Sequence, residues 1–327
     1  MKGSMRKMAK VLGGAVVMVA MAASVSAAYP ERPITWVVPY AAGAGTDTVA
    51  RLLGKAIGEE LGQSIIVENR PGAGTRIGAE YVIRSKPDGY TIMTADNATL
   101  SINPALHPDL SYDPLKDFTY ITTIVRLPLL LVVNPEVPAN NLNELIAHAR
   151  ANPGSLNYAS PGSGSPHHMG MEMFKARTGI NAVHVPYKGA APALNDVISG
   201  QVQMMFLTLS AALPQVKAGR LKIIGAATAD RLADAADVPT LAEQGLDGFE
   251  AFAWQGVVAP AGTPQDVVEK LSAALNRALE RPEIQRQLVA GGLEPMPGTP
   301  GSFAEYTRSD IERMKELVKT QNLKADQ

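Results

Sequence analysis

Short β-type runs alternate with amphipathic helical runs along almost the whole chain, and this alternation limits the fold more than any other feature. Segments 34–38, 65–68, 91–94, 129–133, 156–159, 182–185, 202–206 and 222–226 are apolar and bounded by turn residues, as strands are. Between them lie helical patterns. Val49, Leu52, Leu53, Ala56 and Ile57 fall on one face at i, i+3, i+4, i+7 and i+8. Segments 266–279 and 303–319 carry the same periodicity. Strand–helix alternation predicts parallel sheets covered by helices on both faces.

The first 28 residues read differently. Lys2, Arg6, Lys7 and Lys10 precede an apolar run over 11–23, and small residues lead to Tyr29-Pro30. That is the layout of a cleaved secretory signal peptide, and the run falls short of the ~20 residues of a spanning helix. Removing 1–28 removes four bases and no acid, which leaves 26 bases against 31 acids, a formal −5. Such a balance gives no support to nucleic-acid binding. The absence of cysteine excludes disulfides, thiolate metal sites and a lipid-anchored cysteine. The remaining length suits about two domains. No linker is evident, so two lobes would be joined by strands, with 121–133 and 251–259 as the candidates.

No catalytic constellation is visible. Gly-x-Ser-x-Gly, the phosphate loop Gly-x4-Gly-Lys-Ser/Thr and His-Glu-x-x-His are all absent. Gly43-Ala44-Gly45 and Gly72-Ala73-Gly74 begin like dinucleotide fingerprints but lack the third glycine. His168 and Glu172 share a helix face at i, i+4, which reads as a helix-surface pair rather than a metal site. No metal, cofactor or catalytic residue is assigned.

Binding has better support. Tyr40, Ala42, Gly43, Ala44, Gly45, Thr46 and Asp47 lie where a strand turns into a helix. Small residues there let backbone N–H groups at a helix start approach an anion. Asp47 would oppose an anion, unless it caps the helix or braces the loop. A second turn holds Ser160, Gly162, Ser163, Gly164, Ser165 and His168, rich in uncharged donors. Val38-Pro39-Tyr40 is echoed by Val185-Pro186-Tyr187, which makes Tyr187 a third candidate. Asn97, Thr208 and Ser210 complete the set, because ligands of open α/β sheets sit beyond the carboxyl ends of strands.

The chain resembles the solute-binding proteins of tripartite tricarboxylate transporters, the Bug family. The resemblance rests on "YPERPITWVVPYAAGAGTD", "NRPGAGTRIGA", "KPDGYTI", "YDPLKDF", "VHVPYKG", "DVPTLAEQG" and "APAGTP", in that order from about Tyr29 to about Val318. It implies a periplasmic binding protein of type II, an α/β fold with two Rossmann-like lobes joined by two crossover strands around a cleft. On that reading 29–128 and 252–327 form lobe 1 and 129–251 form lobe 2. It implies a small carboxylate ligand (a di- or tricarboxylate, or an aromatic acid) held by loops 42–47 and 160–165. It also implies delivery to membrane permease subunits from the periplasm, by a monomer. The chain departs from the family pattern in its Gly-Ala-Gly order, in Tyr40 for the commoner Phe, in Thr75 for Gly and in Leu207 for Asp. If Leu207 faces the cleft, the pocket is less polar. Two rival readings stay open: a sensor docking a membrane signalling protein, and an exported α/β hydrolase.

Overall fold

The computed structural model describes residues 29–324, so the expected signal segment lies outside them. Ten strands are formed among the described residues: β1 Ile34–Val38, β2 Ile65–Asn69, β3 Thr91–Asp96, β4 Phe118–Val133, β5 Asn157–Ser160, β6 Val183–Pro186, β7 Met204–Thr208, β8 Lys222–Ala226, β9 Phe252–Pro260 and β10 Glu294–Pro295. The helices are α1 Gly45–Leu61, α2 Arg76–Ile83, α3 Asn103–Leu106, α4 Pro114–Asp117, α5 Leu142–Ala151, α6 Pro166–Thr178, α7 Ala190–Ile198, α8 Leu209–Lys217, α9 Gln265–Glu280, α10 Pro282–Ala290 and α11 Pro300–Thr320.

The strands run β2-β1-β3-β9-β4-β7-β5-β6, with β8 and β10 also on β4. The outer strands pair in parallel, as the alternation predicts: β1 with β2 and β3, and β5 with β6 and β7. The centre departs from that expectation. β3–β9, β9–β4 and β4–β7 are antiparallel. A chain that crosses between two halves and returns must run both ways, so the sheet is mixed.

β4 is a single 16-residue strand, about 50 Å long at about 3.3 Å per residue. Its first part pairs with β9 from Phe118↔Pro260 to Pro128↔Phe252. Its last part pairs with β7 from Leu129↔Thr208 to Val133↔Met204, and with β8 on the other edge. The handover falls at Pro128, which has no N–H to give to a ladder.

Each part of β4 is buried on both faces by alternate residues. Leu129, Leu131 and Val133 pack with Phe174, Phe206 and Phe249, while Leu130 and Val132 pack with Val197, Leu207 and Ala212. β1 divides likewise: Ile34, Trp36 and Val38 meet α1 and α9, and Val37 meets Phe303 and Trp254. The predicted face of α1 is the buried one, with Leu52 at its half-buried edge. A smaller cluster spans the halves, joining Ile102, Leu106, Met314 and Leu317 to Met169 of α6. Among the described residues no helix is long and apolar enough to cross a membrane.

Candidate ligand-binding cleft

A cavity of about 730 Å³ lies between the two halves, floored by Leu127 of β4 and 253–255 of β9. Strand–helix turns from both halves form its walls.

The first wall is the turn from β1 into α1. Its left-handed Gly43 (φ +83°) brings the chain round to Ala44, the helix cap. Alanine offers no side-chain acceptor, so the helix start is left for something else. Gly45 and Thr46 line the cavity. Asp47 is buried and turned into its own turn. It accepts from Gly43 N, Arg51 Nε and Asn69 Nδ2, each at 2.9 Å. The Arg51 bond, with the Gly43 and Asn69 bonds, lowers its pKa to about 2. Asn69 also donates to the Tyr40 carbonyl at 3.0 Å. Asp47 is thus a loop brace whose charge is already satisfied.

The opposite wall is the turn from β5 into α6. Gly162 (φ +143°) and Gly164 (φ +72°) adopt backbone that side chains rarely tolerate. Ser165 caps α6 by accepting from His168 N at 3.2 Å. Gly162, Ser163, Gly164 and Ser165 line the cavity. Ser160 and His168 stand behind them as supports. Ser160 Oγ is 2.7 Å from His184 Nε2 and donates to Gly162 O at 3.0 Å. His168 Nδ1 accepts from Gly164 N at 3.1 Å, and its ring stacks on His184 at 4.1 Å.

Tyr40 lines the cavity and donates its hydroxyl to Asp96, which also takes Thr99 N (2.9 Å) and Thr99 Oγ1 (2.8 Å). Burial raises the pKa of both Tyr40 and Asp96. The Asp96 oxygens are therefore engaged. Gln255 donates to Thr46 Oγ1 at 3.0 Å, tying β9 to the start of α1.

Of the sequence candidates, Tyr40, Gly45, Thr46, Gly162, Ser163, Gly164 and Ser165 share the cavity wall. Ala42, Gly43 and Ala44 form the turn behind it. Tyr187 is displaced from it: its hydroxyl donates to Asp196 at 2.6 Å, and Gly189 and Ala190 reach the cavity instead. Asn97 is buried at the end of β3. Thr208 is held in the ladder opposite Leu129, and Ser210 abuts Gly292 at the edge of the first half. Leu207 is buried in the core, so it does not face the cleft. The His168–Glu172 pair is not a helix-surface pair. Both are buried, and Glu172 takes the Tyr158 hydroxyl and Lys175 Nζ (2.7 Å).

Sequence reasoning missed a third turn, from β2 into α2. Ala73 (φ +47°), Gly74 (φ +60°) and Thr75 (φ +78°) form a left-handed run, and strain of this kind gathers at functional sites. Asn103 Nδ2 secures it by donating to Gly74 O at 2.7 Å. Gly74, Thr75, Arg76, Asn103 and His107 all line the cavity, as does His167. The signal was Gly72-Ala73-Gly74 between a strand and a helix, the same form as the first turn. Its missing third glycine argues only against a dinucleotide site, not against a ligand-binding turn.

A bipartite mixed sheet with two crossover strands and a cleft walled by helix starts defines a two-lobed solute-binding protein. The particular family follows from comparison. The tripartite tricarboxylate transporter family receptor model matches residues 49–323, and the chain belongs to that family. It is 34% identical to protein BugT of Bordetella pertussis over 318 residues, 97% of this chain and 98% of that one. It is similar to the structure of R. palustris Rpa4515 with adipate: 35% identity, TM-score 0.80, covering 90% of this chain and 98% of that one. It is also similar to MatC from Rhodopseudomonas palustris with bound malate: 35% identity, TM-score 0.76, covering 89% and 100%. The family is one of receptors, and the structure of periplasmic binding protein BugD is also similar (34% identity, TM-score 0.77, covering 91% of this chain and 100% of that one), which favours neither the hydrolase nor the sensor reading.

Proposed function

We propose that this chain is an exported periplasmic receptor that captures a small carboxylate between two closing lobes. Lobe 1 is 29–128 with 252–327, lobe 2 is 129–251, and a monomer delivers the acid to membrane permease subunits. One observation carries this reading: the starts of α1 and α6, one from each half, converge on one cavity whose acids, Asp96 in the wall and Asp47 behind it, are already bonded. Helix starts carry partial positive charge and unfilled donors. The known ligands of relatives, adipate for Rpa4515 and malate for MatC, support a carboxylate.

The arrangement suits a carrier. Each neutral bond to an anion contributes about 1–3 kcal/mol. Donors divided between lobes act together only when the lobes are closed, and opening withdraws one set at a stroke. Native mass spectrometry of the protein purified without refolding tests the reading. A co-purifying organic acid that re-binds after removal supports it; no binding of any small organic acid to the folded protein contradicts it.

A further inference from the structure

Arg76 is the one lysine or arginine in the cavity wall, among the described residues. It opens α2, directly after the left-handed run of Ala73, Gly74 and Thr75. Its Nε donates to Ala73 O at 2.9 Å. That bond fixes the guanidinium plane and leaves the end-on pair, Nη1 and Nη2, as a fork for a planar anion.

No acid among the described residues takes that fork. Among the described residues Arg76 forms no ion pair. Glu80, one turn along the same helix, is bonded to Ser111 Oγ and to Arg84 Nη1 (3.4 Å) instead. Asp96, in the same wall, has its oxygens filled by Tyr40 and Thr99. Arg76 therefore keeps its charge towards the cavity. His107 stands beside it, half-buried in the same wall. Burial and the neighbouring guanidinium both lower the pKa of His107. It stays a neutral donor or acceptor and adds no second charge.

The cavity thus has two anion-binding places of different chemistry. One is made of the neutral donors at the starts of α1 and α6. The other is a single cation. Leu106, Leu127, Ala98, Ala190 and Ala253 give the walls hydrocarbon stretches beside the polar Asn103, His167 and Gln255. Those stretches match a hydrocarbon spacer.

We propose that Arg76, with His107, is a second anion subsite that selects acids carrying two carboxylates on a hydrocarbon spacer. The first carboxylate sits at the helix starts, so this inference rests on the function proposed above. Arg76 then decides between a diacid and its half-neutralised form. It does so through a charge that the neutral end cannot supply.

Calorimetric titration of the purified protein tests this with succinate, glutarate, adipate, pimelate and terephthalate, each beside its monoamide. Wild type should bind at least one diacid about tenfold or more tighter than its monoamide. Arg76→Gln should weaken that diacid by about ten- to a hundredfold, the worth of a bond between charged partners. It should change the monoamide by less than about threefold. Arg76→Lys should fall between, since a point charge replaces a fork. A wild type that binds monoamides as tightly as diacids overturns the subsite and leaves the carboxylate receptor standing. So does an undiminished diacid preference in Arg76→Gln. Failure of every acid to bind wild type overturns both.

Discussion

Gly164 and His168 are joined across one turn by a backbone-to-imidazole bond, Gly164 N–H donating to His168 Nδ1 at 3.1 Å. The bond makes a buried side chain on α6 the template for a cavity-lining loop. His168→Leu leaves that N–H without its partner, at a cost of about 1–3 kcal/mol. Urea titration should show this loss of stability. Ligand affinity should fall as well, because the loop is no longer held in its bound shape.

Gly164 is a strained position for any side chain. Its φ of +72° is left-handed, and an added Cβ would lie 3.1 Å from Leu106 Cδ1 of the opposite half. Gly164→Val should abolish binding, measured by calorimetry. Stability should fall by only about 1–2 kcal/mol from the backbone strain, because the loop can relax away from Leu106 once the lobes part. Unchanged affinity would remove this turn from the site.

Asp47 should prove structural, although it stands at a ligand-binding helix start. Asp47→Ala strips partners from Gly43, Arg51 and Asn69 together. Arg51 is half exposed and keeps its hydration, so the loss is mainly that of the Gly43 and Asn69 bonds, about 1–3 kcal/mol. Thermal melts of the ligand-free variant should show the loss. A variant as stable as wild type but weaker in binding would make Asp47 a ligand contact.

Stability should fall in two windows as the pH is lowered. Burial lowers the pKa of His167 from its ordinary 6.5 to about 4. Between those values the unfolded chain takes up a proton that the folded chain refuses, so stability decreases as the pH falls from about 6.5 to about 4. Asp47, lowered to about 2, adds a second loss as the pH falls from about 3.8 to about 2, since there too the unfolded state binds the proton first. Melting temperatures across the range check both. His167→Gln should reduce the upper loss to the share that His107, whose pKa is also lowered, contributes, and should leave the lower window unchanged.

The outline of the fold was legible because its signals are local. Apolar runs bounded by turns became β1, β2, β3 and β8, and the periodic face of α1 became its buried face. The two central strands were legible as long apolar stretches. Their antiparallel pairing was not, since direction is set by partners far away in sequence. Within the site, Gly45 and Gly164 were legible because glycine-bearing turns at helix starts have one common use. Arg76 and His107 were not. A charged residue on a helix reads as solvated until the fold is seen to bring it to a cavity wall. Thr208 and Ser210 show the reverse error: a position at the end of a strand is not a cleft position when it is held in the ladder, as Thr208 is, or packed against another turn, as Ser210 is against Gly292.

The central claim is that the cavity between the lobes holds a carboxylate. Thermal unfolding of ligand-stripped protein with small organic acids, each compared with its amide, tests it most directly. A ligand that binds only the folded state adds about 2.7 kcal/mol at a hundred times its dissociation constant, a clear shift in melting temperature. A shift with an acid that vanishes with its amide, and vanishes again in Gly164→Val, is the predicted result. Equal shifts from acid and amide, or a shift that survives in Gly164→Val, would contradict it.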